Sequence, residues 1–268
     1  MAKLGTGEFL RGLARIIAGR PRLPRALEGN EALRSILERR SVRQFKPDPI
    51  PGDAWATVLE AGRVAPSTVN LQTWSFAVFT DEEWRKFFGT RMPMDGRRAV
   101  IVLADMQRAK RVIEGFPYAP LCEYTVGVMN ASLAAMNMVQ AAEALGLSSV
   151  MLSETGRTGF YDAGFLAEKL ALPPGVVPIT TIVFGYAAVA PPPMPPRLPA
   201  DAITFTGRYQ ETPRPVLEDW HEQMRAGYQA GHRGEDFSAK IRYYNTRIDE
   251  AELDLNRLVF YKGAEDEQ

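Results

Sequence analysis

From Cys122 to Leu145 the chain contains no proline and only two charged residues, Glu123 and Glu143. Met129, Leu133, Met136, Asn137, Gln140 and Ala144 lie among small residues, and Gly146 follows as a C-cap. A helix this long, this uncharged and this rich in Ala and Met must be covered on several sides, in a core or at a subunit contact. Any fold for the chain has to be built around it.

The surrounding pattern alternates short strands with helices. Ser75–Phe79, Ala99–Leu103, Ser148–Leu152 and Ile179–Phe184 are β-rich apolar runs, and Ala99–Leu103 in particular predicts a buried strand. Leu33, Ile36 and Leu37 make a short amphipathic helix. Asp53 is expected to cap a helix reaching about Val64, and Asp81 a shorter one from Glu82 to Phe88. A further helix is expected from Phe165 to Leu170. Prolines crowd the chain from Pro191 to Pro199, and beyond them polar helices are expected over about 216–226 and 249–258. The expected class is α+β, a mostly antiparallel central sheet flanked by helices. Three regions are expected: an N-terminal extension (1–30), a central domain (31–190), and a C-terminal arm (191–268) wrapping a partner subunit.

Composition removes several functions. Lysine plus arginine equals aspartate plus glutamate at 32 each, so charge gives no reason to expect nucleic acid. Two histidines, His221 and His232, and one cysteine, Cys122, make a zinc site or an internal disulfide a poor expectation. Cys122 reads as core filling. No apolar run approaches the roughly 20 residues of a bilayer span, and a soluble, cytoplasmic protein is expected. At the N-terminus, Phe9, Leu10, Leu13, Ile16 and Ile17 form one stripe amid arginines, a transit peptide or, preferably, a helix that docks on the body or on a partner subunit. Gly5-Thr6-Gly7 has no strand before it and is no dinucleotide fingerprint.

Two segments carry chemistry. If Arg39-Arg40-Ser41-Val42-Arg43 leaves its helix extended, alternation puts Arg39, Ser41 and Arg43 on one side, where two guanidinium forks and a hydroxyl can receive a phosphate dianion. A solvated basic turn is the plainer reading of those residues alone. The second segment runs from Ala65 to Trp74. An amide such as Asn70 donates and accepts together, as reading the edge of a pyrimidine ring requires, and Trp74 would anchor the loop. An Asx-type turn is the alternative there.

Taken in order, Arg39-Arg40-Ser41-Val42-Arg43-Gln44-Phe45 and Ala65-Pro66-Ser67-Thr68-Val69-Asn70-Leu71-Gln72-Thr73-Trp74 resemble the nitroreductase family of FMN-dependent oxidoreductases. Asn137 to Ser149 is similar to that family's long-helix segment, and Phe184-Gly185-Tyr186 to its late strand and Gly-Tyr pair. Thr73 stands where the family usually has proline, which predicts a looser turn. The resemblance implies that Arg39, Arg40, Ser41 and Arg43 hold the phosphate and ribityl chain of FMN. It also implies that Pro66, Ser67 and Asn70 lie by the pyrimidine side, often supplied across a homodimer. Ser153 and Glu154 fall where the family places backbone N–H groups near flavin N5, a preorganised dipole that stabilises the reduced ring. Arg197, with Arg208 as its rival, is the candidate for a late basic residue on the phosphate.

The activity implied by the resemblance is hydride transfer from NADH or NADPH through flavin N5 to a nitroaromatic, quinone or flavin, by a ping-pong scheme. No acid–base side chain is required, and the cofactor carries the redox chemistry. Reductive dehalogenation or flavin modification on the same fold is an alternative, with Phe116–Val128 as the deciding lid. It would want a Glu-Tyr-Lys set there, and Lys110 is the only lysine nearby, ahead of the tyrosines. A flavin carrier or sensor without turnover is the other alternative.

Overall fold

The structure, a computed structural model, describes residues 3–20, 24–153, 158–232 and 236–261. Along these the chain forms α1 (Thr6–Ala18), α2 (Glu31–Glu38), α3 (Gly52–Arg63), β1 (Trp74–Thr80), α4 (Asp81–Phe88), β2 (Arg98–Asp105), α5 (Gln107–Lys110) and α6 (Pro120–Ala144). It continues with β3 (Ser148–Leu152), α7 (Ala163–Lys169), β4 (Val176–Gly185), α8 (Arg214–Gly231) and α9 (Phe237–Val259). The class is α+β, and the strands form one antiparallel sheet in the order β1-β2-β4-β3. The chain groups into two compact units, 39–192 with 247–268 and 1–38 with 193–246, so α9 begins in one and ends in the other.

In the sheet-bearing unit the period-2 alternation of strand side chains divides the core in two. Val100 and Val102 of β2 join Ile182 and Phe184 of β4 in a cluster with Trp55 and Val58 of α3 and Ala131, Ala134, Ala135 and Met138 of α6. Ala99, Ile101 and Leu103 face the other way, with Val183, and pack with Trp84 of α4 and Leu166 of α7. Covered on both faces, β2 must be apolar throughout, and that is why Ala99–Leu103 reads as an uninterrupted run. The small residues of α6 serve close packing: a side chain at Gly127 would meet the Ala104 Cβ at 2.9 Å.

Two cap assignments are corrected. Thr80, not Asp81, caps α4, because its hydroxyl accepts from Glu83 N–H at 3.1 Å while the Glu83 carboxylate accepts from Thr80 N–H at 2.7 Å. Pro51 occupies the cap of α3, and Asp53 lies one residue inside the helix, accepting from Ala54 N–H. Gly146 has a φ of 73°, just beyond the Leu145 cap of α6, where a left-handed residue ends the helix.

In the other unit the N-terminal stripe is a helix that docks on α8. Ile16 is buried, Arg15 pairs with Asp219, and Gln229 Oε1 accepts from Leu4 N–H at 3.2 Å. Gly12 permits the approach, since a Cβ there would overlap that of Ala226. Gly12→Val is therefore expected to cost about 1–3 kcal/mol of local packing and to free α1. Limited proteolysis should then clip the N-terminal helix much faster than in the unaltered chain; equal rates would contradict this packing. No helix among the described residues is long and apolar enough to cross a membrane.

Candidate functional site

Beyond α2 the chain becomes extended and runs beside β3. Ser41 forms a parallel bridge to Ser149, whose carbonyl accepts from Val42 N–H at 3.0 Å, and further on Tyr186 C=O accepts from Lys46 N–H at 2.8 Å. Val42 is buried, Ser41 half-buried and Arg43 exposed, the alternation of an extended segment. Phe45 pins the far end. Its ring lies against Gly185, where a Cβ would stand 2.8 Å from it. The basic turn and the Gly-Tyr pair, far apart in sequence, thus meet in one contact.

The donors cluster here. Arg40 donates to Arg39 C=O at 2.8 Å and Arg43 to Ser41 C=O at 3.3 Å, ordering two guanidinium groups against their own backbone. Ser149, absent from the residues expected at the site, has a buried hydroxyl with no hydrogen-bond partner among the described residues. Glu143 of α6 is close enough to feel Arg39 and Arg40. Burial pushes its carboxyl above the usual range, and the two arginines pull it partly back. The native chain therefore holds this proton to higher pH than the unfolded chain. The associated stability is complete below the ordinary carboxylate range and is lost as pH rises through the raised value. Glu143→Gln should accordingly gain stability over the unaltered protein as pH rises through that window, with the two converging in acid. Melting curves with a pH-independent difference would refute this.

The amide loop is held from α6. Asn130, 1% exposed, accepts from Thr68 N–H at 3.1 Å and donates to Thr73 Oγ1 at 2.8 Å. Ser67 Oγ accepts from Gln72 N–H at 3.1 Å, closing the loop on itself. Val69, Asn70 and Gln72 all take positive φ, so the loop stores strain that these bonds offset. The expected looseness at Thr73 is corrected: it is fully buried, and its hydroxyl, which proline would lack, is the anchor. Ser67 is half-buried, while Pro66 and Asn70 are exposed. Asn70 and Gln72 border a groove of about 710 Å³, whose wall also includes Trp74, Phe76, Arg108 and Ile113.

At its far end β3 delivers Ser153. The Ser153 carbonyl accepts from Tyr161 N–H at 3.3 Å, and Gly159 lies so close that a Cβ would strike the Ser153 backbone. Thr181 Oγ1 donates to Thr158 C=O at 2.5 Å. Glu154 lies outside the described residues. Arg197 and Arg208 are both exposed and belong to the unit of 1–38 and 193–246.

A Glu-Tyr-Lys set does form, with a tyrosine from the far end of the chain. Lys110 Nζ is 2.7 Å from Glu123 Oε1 and 3.0 Å from Tyr261 Oη, and Ala119 N–H donates to the same carboxylate oxygen at 3.0 Å. These groups satisfy one another. Cys122, expected in the core, is exposed in the first turn of α6, which turns its neighbour Glu123 inward instead.

Strand pairing fixes how far apart the two segments are. Ser149 is opposite Phe184, Phe184 opposite Arg98, and Arg98 opposite Thr80, whereas the amide loop enters β1 at its other end, Trp74. The basic turn and the amide loop therefore occupy diagonal corners of the sheet, about 19 Å apart across four strand spacings, the step from Ser41 to Ser149 included, and about 20 Å along the strands. Arg39, Arg40, Ser41, Arg43 and Ser149 gather at one corner, with Ser153 at the other end of the same edge strand. Pro66, Ser67 and Asn70 gather at the opposite edge.

These motifs and this sheet have known counterparts. The NADPH-flavin oxidoreductase of Vibrio harveyi is 28% identical over 207 residues, covering 74% of this chain and 83% of that protein. The FMN reductase [NAD(P)H] of Bacillus subtilis is 28% identical over 209 residues, covering 73% and 82%. The crystal structure of nitroreductase A from Vibrio parahaemolyticus superposes with a TM-score of 0.69 at 23% identity, covering 84% of this chain and 98% of that one. The nitroreductase family model matches residues 36–186, a span that begins just ahead of the basic turn, ends on the Gly-Tyr pair and includes the whole sheet, so the chain belongs to the nitroreductase family.

Proposed function

We propose that this chain is an FMN-dependent NAD(P)H oxidoreductase that works as a homodimer and reduces a small organic acceptor. The observation that carries the reading is the edge strand β3, with a cluster of guanidinium and hydroxyl donors at its start and Ser153 at its end. The donor set suits FMN. Arg39 and Arg43 supply charge for a phosphate dianion, and Ser41 and the Ser149 hydroxyl, which has no partner among the described residues, supply neutral contacts for a polyol chain. Relatives named for NADPH, flavin and FMN support the same cofactors.

Bound there, FMN would supply hydride acceptance and donation at its N5. The protein's part is to hold the phosphate, to present a backbone donor from the β3 exit, and to read the ring edge with an amide. Asn70 lies on the opposite edge of the sheet from Ser153, across β4, β2 and β1, and in this reading the amide that meets the ring comes from a second chain. The exposed stripe of Met129, Leu133 and Met136 on α6, the helix that carries Asn130, gives such a partner an apolar face to cover. Lys110 and Glu123 neutralise each other, so this set leaves no charge open to a zwitterionic substrate, and nitroaromatics, quinones or flavins are the favoured acceptors.

Anaerobic reduction of the FMN-loaded protein by NADH and by NADPH, followed by an acceptor panel, tests this directly. Bleaching of the flavin by a nicotinamide and parallel initial-rate lines are expected. A flavin that stays oxidised under both donors would point to a carrier, and intersecting lines would remove the ping-pong scheme.

A further inference from the structure

We infer that Arg247 and Asp254, on the last helix of the chain, are positioning residues for the β3 exit that faces the flavin; the inference rests on the FMN reading above. Ser153 does not hold its place by strand pairing, since β3 ends at Leu152. Its carbonyl is tied instead to Tyr161 N–H, and Gly159 packs directly on its backbone. Whatever fixes residues 159–164 therefore fixes Ser153.

That segment is gripped from α9. Arg247 Nη2 donates to Asp162 Oδ1 at 2.8 Å and to Tyr161 C=O at 3.3 Å, so one guanidinium holds both the cap residue of α7 and the residue bonded to Ser153. Two turns further along α9, Asp254 Oδ2 accepts from Gly164 N–H at 3.0 Å in the first turn of α7, where a carboxylate also suits the helix dipole. Gly164 is needed for this approach, because a Cβ there would overlap the Asp254 carboxylate. Asp162 is almost wholly buried and Arg247 largely so, which makes the pair directional and poorly screened by salt. The two α9 residues thus set the position of a backbone whose dipole acts on the reduced ring more than on the oxidised one.

Arg247→Met, Arg247→Lys and Asp254→Asn, each prepared as the full chain, test this through FMN affinity and midpoint potential rather than turnover. Oxidised FMN should bind nearly as in the unaltered chain, because the phosphate corner lies at the other end of β3. The preference for reduced over oxidised flavin should fall about tenfold in Arg247→Met, the worth of one hydrogen bond, which lowers the two-electron potential by about 30 mV. Asp254→Asn should show a smaller shift of the same sign, and Arg247→Lys should recover part of it. If Arg247→Met does not fold, Asp254→Asn, which keeps size and buries no new charge, carries the test. Variants that hold FMN at the unaltered potential would overturn the clamp alone. An unaltered chain that binds no FMN would overturn the functional reading, and the clamp with it.

Discussion

Removing Arg39 and Arg43 together is expected to weaken FMN binding by about three orders of magnitude while leaving the fold intact. Each guanidinium offers charge-assisted hydrogen bonds to a phosphate dianion, worth about 1.5–3 kcal/mol apiece, and roughly 1.4 kcal/mol is a factor of ten in affinity. The fold should survive because Arg43 is exposed, Arg39 is half-buried, and the segment is pinned by Val42 and Phe45 rather than by its charges. The remaining affinity should also lose most of its salt dependence. Fluorescence titration of the Arg39→Ala/Arg43→Ala chain against FMN and against riboflavin separates the outcomes. FMN falling to the level of riboflavin supports a phosphate site at this corner, and a loss shared equally by the two ligands would place the effect elsewhere.

Asn130→Leu is the second large effect, and it acts on stability. The side chain is buried on α6 and holds the amide loop at two points, Thr68 N–H and Thr73 Oγ1. Leucine is close in size and leaves the fully buried Thr73 hydroxyl with only a 3.5 Å contact to Val126 C=O, while Thr68, an exposed residue, can turn its N–H to water. A buried group left so poorly satisfied costs about 1–3 kcal/mol, or about 2–12 °C in Tm for a chain of this size. With its anchor on α6 gone, the strained loop keeps only its internal bonds, such as Gln72 N–H to Ser67 Oγ, to hold Val69, Asn70 and Gln72 at positive φ. Calorimetry measures the first consequence, and amide hydrogen exchange over residues 67–73 the second. A Tm within a degree or two of the unaltered value would mean that the loop holds its own conformation.

Much of the fold is legible from periodicity. The buried run of β2 and the limits of β3 come from apolar pattern, because both faces of the sheet are covered. The long α6 is legible from its lack of proline and charge. Elements stabilised by polar contacts leave no such trace. Apolar pattern predicts α9 only over 249–258, yet the helix begins at Phe237, because Arg247 and Asp254 tie it to α7 while only Ala251 and Val259 on it are buried. Caps shift by a residue or two, since Thr80 and Asp81 are both competent and only the reciprocal bond with Glu83 decides between them. At the site, the basic turn and amide loop are visible as motifs, while Asn130 is hidden in an apolar helix. Its one signal is an amide on a mostly apolar helix, a signal that Asn137 and Gln140 share. Arg197 rests on family analogy, a choice that no periodicity can inform.

The diagonal placement of the basic turn and the amide loop has a thermodynamic consequence. If one flavin needs the basic corner of one chain and the amide corner of another, cofactor and sister subunit are linked ligands. Each then tightens the other's attachment by the same factor. Dilution alone should strip colour from the protein, and excess flavin should hold subunits together at concentrations where the empty chains drift apart.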